Sequence, residues 1–196
     1  MNLKKVLENG GVFLNQEKIK KLESYSEMLL EWNSTHNLTG AKTKEEIYQN
    51  ILDSIYPMNF VKEPKELLDI GSGAGFPALA LGVVWQNAQI VLAEPRNKRA
   101  SFLRFVILEL GLSNISVKKM RVENIFGLKF DLITSRAVNQ VETLLQISKH
   151  LSKKESQYLL FKGERVEDEL RDLKLNYKIV EREKRKYLLI LGQEGF

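Results

Sequence analysis

The stretch LLDIGSGAGFPALAL, Leu67 to Leu81, constrains the fold more than any other part of this sequence. A short apolar run passes one carboxylate, Asp69. Gly71, Gly73 and Gly75 follow on alternate positions, and a second apolar run begins behind Pro77. The pattern reads as strand, tight loop, helix. A fixed glycine costs roughly 0.5–1 kcal/mol of order relative to alanine. Three within five residues therefore imply a loop backbone that something approaches closely. In an open α/β sheet such a loop lies at the carboxyl end of a strand, where ligands bind. A dinucleotide fold needs G-x-G-x-x-G, but the position three after Gly73 is Phe76. A phosphate-binding loop needs a closing Gly-Lys-Ser/Thr, which is absent.

The rest of the chain supports an α/β sheet. After Lys65, short apolar runs alternate with helical patterns: AQIVLAE, then Asn97 to Leu110, ISVKKM, FDLITSRA, Val138 to Leu151, QYLLFKG, Glu164 to Leu173, and a charged hairpin from Tyr177. Strands alternating with helices imply a parallel sheet covered on both faces. Before Lys65 the chain reads as helical. Ile19, Leu22, Tyr25, Leu29 and Trp32 fall at three- and four-residue steps. Thr43-Lys44-Glu45-Glu46 is a capping box opening a second helix with Ile47, Ile51 and Ile55 on one face. The expected organisation is a helical cap over residues 1–64 and a ligand-binding domain over residues 65–196.

Composition narrows the chemistry. With no cysteine there is no disulfide, thiolate metal site or cysteine nucleophile. No apolar window reaches the roughly 18 residues of a membrane span, and the N-terminus lacks a signal-peptide core. A cytoplasmic protein without a membrane partner is expected. Residues 1–64 carry 8 Lys/Arg against 9 Asp/Glu, whereas residues 65–196 carry 22 against 16. The basic excess thus lies wholly in the sheet domain, which suits a polyanionic partner.

Asp69-x-Gly71-x-Gly73-x-Gly75 resembles the first motif of class I S-adenosyl-L-methionine-dependent methyltransferases. Glu94, 23 residues after Gly71, stands near the spacing at which an acid meets ribose hydroxyls. The two together point to a nucleoside cofactor against the loop. Methylation at a pyrimidine carbon usually needs a cysteine, and none is present. Exocyclic amine methylation usually uses an Asn/Asp-Pro-Pro-aromatic motif, where this chain reads ITSRAV. Ring N7 of guanine has a lone pair and no proton to lose, so it is compatible with a site lacking base and nucleophile. A methyltransferase of another substrate and a non-catalytic RNA-binding module on the same fold are the alternatives.

Several segments together resemble the RNA methyltransferase G family of the bacterial small ribosomal subunit, also called glucose-inhibited division protein B. They are Trp32-Asn33 with Asn37-Leu38-Thr39, NILDSI from Asn50, DIGSGAGFP, RVEN from Arg121, SRA from Ser135, and FKG from Phe161. The resemblance implies a Rossmann-like methyltransferase fold and methyl transfer to N7 of one guanine in 16S ribosomal RNA. The substrate would be that RNA or the small ribosomal subunit. It places Gly71 and Phe76 at the cofactor, Val122 and Glu123 beside the adenine, and Arg136 at the cofactor or acceptor as the catalytic candidate. The family often has histidine where this chain has Asn50. Oligomeric state stays open, with a monomer as the expectation. Lys98, Arg99, Arg104 and Lys162 are the candidate phosphate contacts. Trp32 is expected as a core anchor rather than a base platform. Arg136 has an alternative as an ion-pair partner of Glu94 or Asp131. His36 and His150 are isolated and receive no role.

Overall fold

The computed structural model describes residues 2–136, 140–183 and 185–192. Three helices come first: α1 (Leu3–Asn9), α2 (Gln16–His36) and α3 (Lys44–Ile55). The Asn15 side chain accepts from the backbone N–H of Lys18 to start α2. Thr43 and Glu46 form the reciprocal capping box that starts α3. The second part alternates: β1 (Glu66–Ile70), α4 (Ala78–Val84), β2 (Gln89–Ala93), α5 (Asn97–Glu109), β3 (Ile115–Lys118), β4 (Phe130–Arg136), α6 (Val141–Ser148), β5 (Ser152–Lys162), α7 (Val166–Leu170), β6 (Tyr177–Arg182) and β7 (Arg185–Ile190).

The strands form one seven-stranded sheet in the order β3-β2-β1-β4-β5-β7-β6. β1 to β5 run parallel, and β7 lies antiparallel between β5 and β6. Successive strand residues face opposite sides of a sheet, and here each side is buried. Leu67, Leu132, Leu159 and Leu189 pack into a cluster shared with α1 to α5. Leu68, Ile133, Leu160 and Leu188 pack into a second cluster with α6 and α7. Strands covered on both faces therefore read as unbroken apolar runs.

Some boundaries differ from the sequence expectation. β5 begins at Ser152, five residues earlier than the apolar run, because its polar start pairs with Phe130 across a register irregularity. α7 ends at Leu170, and only Val166 and Leu170 of its five residues are buried. α6 begins at Val141, and the expected start at Val138 lies outside the described residues. α1 escaped the periodicity reading because it is only seven residues long, although Leu3, Val6 and Leu7 are buried.

Candidate active site

The glycine loop leaves β1 at the carboxyl edge of the sheet. The Gly71 N–H donates to the Ala93 carbonyl at the end of β2, and the Gly75 N–H donates to Ser72. All three glycines have positive φ: +72° at Gly71, +57° at Gly73 and +102° at Gly75. Their surroundings differ. A Cβ on Gly73 would meet nothing closer than 3.7 Å, whereas one on Gly75 would lie 2.3 Å from Leu79 Cδ1 and 2.9 Å from the Tyr25 hydroxyl. Gly75 is thus demanded by packing against α2 and α4, while Gly73 faces open space. The Tyr25 hydroxyl donates to the Ala74 carbonyl at 2.7 Å, and its ring lies 5.5 Å from Phe76. α2 thereby grips the loop.

Two carboxylates back the loop. Glu94 is buried, and its oxygens accept from the backbone N–H groups of Gly73 (2.9 Å) and Arg96 (2.8 Å). It ties the loop to the end of β2. Asp69 is fully buried. Its Oδ1 accepts from the Thr134 hydroxyl at 2.7 Å, and its Oδ2 has no partner among the described residues. Burial pushes this carboxyl up to about 7, against the hydrogen bond from Thr134.

Arg136, at the end of β4, donates to the Asn50 side-chain oxygen and, at 3.4 Å, to the Asn50 carbonyl. Its guanidinium lies 5.4 Å from the Phe76 ring centroid, within cation–π range. It pairs with neither expected carboxylate. Glu94 is engaged by backbone donors, and Asp131 sits at the far end of β4 with Lys153. Burial, with the charge of Arg185 adding, holds the Arg136 pKa below its usual value. A cavity of about 450 Å³ is lined by Leu38 to Ala41, Asn50, Gly71 to Ala74, Phe76, Arg99 and Arg136. Gly71, Gly73, Phe76 and Arg136 therefore share one pocket, with Asp69 and Glu94 supporting its floor from behind. Val122 is buried in the second core cluster and Glu123 is exposed, both in the turn after β3. A larger cavity, about 570 Å³, opens beside Ser152 and Ile190 at the opposite edge of the sheet and contains none of these residues.

The residues 18–193 match the family described as rRNA small subunit methyltransferase G. The chain belongs to that family. A ribosomal RNA small subunit methyltransferase G from Aliarcobacter butzleri is 43% identical over 191 residues, covering 97% of this chain and 98% of the relative. The counterpart from Wolinella succinogenes is 39% identical over the same coverage. Among solved structures, an Aquifex aeolicus SAM-dependent methyltransferase superposes with a TM-score of 0.60 at 17% identity, over 72% of this chain and 89% of that one. A Geobacter sulfurreducens methyltransferase gives 0.64 at 11%, over 87% and 89%. The fold is thus the Rossmann-like class I S-adenosylmethionine-dependent methyltransferase fold, and S-adenosylmethionine is the family's cofactor.

Sequence reasoning missed Tyr25 as the loop's hydrogen-bond donor and Asn50 as the partner of Arg136. Asn50 opens the NILDSI segment, which carried the family resemblance without indicating what its first side chain touches. Among the described residues no group of acids and histidines could hold a metal ion, and no helix is long and apolar enough to cross a membrane.

Proposed function

We propose that this protein transfers a methyl group from S-adenosylmethionine to N7 of a guanine in 16S ribosomal RNA. The observation that carries the reading is the pocket itself. A glycine loop with open backbone faces an arginine and an asparagine across a cavity whose lining holds no cysteine, histidine or carboxylate, and the buried Asp69 carboxyl lies behind the loop. The polar groups suit the cofactor: Asp69 Oδ2 has no partner among the described residues, and each Glu94 oxygen keeps a free lone pair for a hydroxyl. Gly71, Gly73, Gly75 and Phe76 would complete the cofactor wall, with Val122 and Glu123 beside the adenine. When bound, the cofactor supplies an electrophilic methyl group on a cationic sulfur.

The chain's own task is then alignment and exclusion of water. A methyl group supplied there would pass to the guanine N7 lone pair as its bond to sulfur broke, the sulfur keeping that electron pair, so none of these residues would have to remove a proton. Effective catalysis of this kind rests on positioning. Arg136, fixed by Asn50 and Phe76, supplies a directed cation at the acceptor or the cofactor. Residues 1–64 act as the cap that closes the pocket over the sheet domain of residues 65–196. This assignment implies a cytoplasmic protein working on ribosomal RNA.

The test is transfer of tritiated methyl groups to small subunits, and to naked 16S RNA, from cells lacking the protein, followed by mapping of the modified base. Label at N7 of a single guanine is expected. Label on ribose, on an exocyclic amine or on protein would overturn the acceptor assignment.

A further inference from the structure

Next in the chain to Asn33, which holds the Thr39–Ala41 wall of the pocket, lies an aromatic group that the transfer chemistry does not use. The Trp32 ring, on α2, lies 5.4 Å from His36, 5.5 Å from Phe102 and 5.4 Å from Phe105 of α5. Phe102 is fully buried and anchors the group. Trp32 and Phe105 are half-buried, and His36 is exposed. Trp32 packs against the core as expected, yet it is only partly buried.

We propose that Trp32, His36 and Phe105 form a stacking platform for a base of the single-stranded RNA flanking the methyl acceptor. The inference rests on the RNA reading above. Continuity with the pocket supports it. Asn33, next to Trp32, accepts from the Thr39 N–H and donates to the Ala41 carbonyl, both at 2.9 Å, and so holds the segment that forms the pocket wall. Charge supports it as well. Lys98 and Arg104 are exposed on α5 and Arg99 lines the pocket, none of them with a carboxylate partner among the described residues. Aromatic faces alternating with cations along a groove are how proteins hold single strands with little regard to sequence. A target base leaving its stack for the pocket would leave its neighbour needing a new surface.

The chain carries two tryptophans, and Trp85 is 4% exposed. In a folded Trp85→Phe variant the emission reports Trp32 alone. Unmethylated 16S RNA should quench it, while polyphosphate, which has charge but no bases, should not at equal occupancy. His36→Ala should raise KM for the RNA at least fivefold, in line with the usual cost of losing one stacked base, with kcat and cofactor affinity within twofold. His36→Tyr should restore KM. Equal quenching by polyphosphate, or a wild-type KM in His36→Ala, would overturn the platform while leaving methyl transfer standing. If the wild-type protein methylates no 16S RNA, the RNA reading falls and the platform falls with it.

Discussion

Arg136 does what its neighbours permit. A guanidinium has five donors in a rigid fork, and Asn50 takes donors through both its side chain and its carbonyl. Arg136→Ala should therefore lower methyl transfer far more than RNA affinity. Asn50→Ala should reproduce part of that loss, and the double variant should lose less than the sum, since the two act as one unit. Additive losses in kcat would show that Asn50 acts independently. Asp69 offers a different measurement. Its folded pKa, about 7, lies above the unfolded value of about 3.9, so the native state holds a proton that the unfolded chain has released. Its contribution is fully present below pH about 4 and is lost as pH rises towards 7, with a slope approaching about 1.4 kcal/mol per unit. Asp69→Asn is neutral throughout, so its melting temperature should gain on the wild type across that window and hold the gain above it. Parallel melting curves would show the carboxyl to be ionised when folded. Asp69 and Arg136 were legible as residue types at strand ends. The partner of Arg136 was not, because it lies 86 residues away in the chain and no local pattern encodes that contact.

The glycine loop shows how an element answers to two masters. Seen as sequence, its three glycines look alike; in the fold they divide. Gly75→Ala would force a Cβ against Leu79 and the Tyr25 hydroxyl at a φ of +102°, which combines overpacking with strain of roughly 1–3 kcal/mol each. Thermal unfolding should register a large loss. Gly73→Ala has open space and a φ of +57°, so its strain is about 1–2 kcal/mol and the protein should fold. Calorimetry should then find S-adenosylmethionine binding at least tenfold weaker. Tight binding by folded Gly73→Ala would remove the cofactor from this face of the loop. The elements around the loop were legible because both faces of the sheet are covered, and unbroken apolar runs mark such strands. The order β5-β7-β6 was not, since a hairpin gives its own pairing but not which arm joins the sheet. Here β7 joins, setting Tyr187 against Phe161 at 5.4 Å.

At the scale of the molecule, ion pairs decide which cations of residues 65–196 stay open to a phosphate. Lys153 is held by Glu66 and Asp131, Lys186 by Glu167 and Glu181, and Arg182 and Arg185 by Asp53. Lys162 is paired with Glu169 at 2.7 Å and its side chain is only 10% exposed. It is therefore a poor phosphate contact, although its sequence position suggested one. On α5, whose Arg99 lines the pocket, Lys98 and Arg104 are exposed and have no carboxylate partner among the described residues. These, rather than the net charge of +5, should set RNA affinity. Each phosphate neutralised contributes about 0.7–0.9 to the slope of log affinity against log salt. Lys98→Ala and Arg104→Ala should each weaken RNA binding across sequences and flatten that slope by about one or less, leaving cofactor affinity unchanged. Lys162→Ala should leave the slope alone and instead lower the melting temperature, because it strands the largely buried Glu169 carboxylate without its cation. The comparison is internal: the three variants remove the same charge. A flattened slope in Lys162→Ala, with none in the other two, would move the RNA away from α5 towards the ends of β5 and β7.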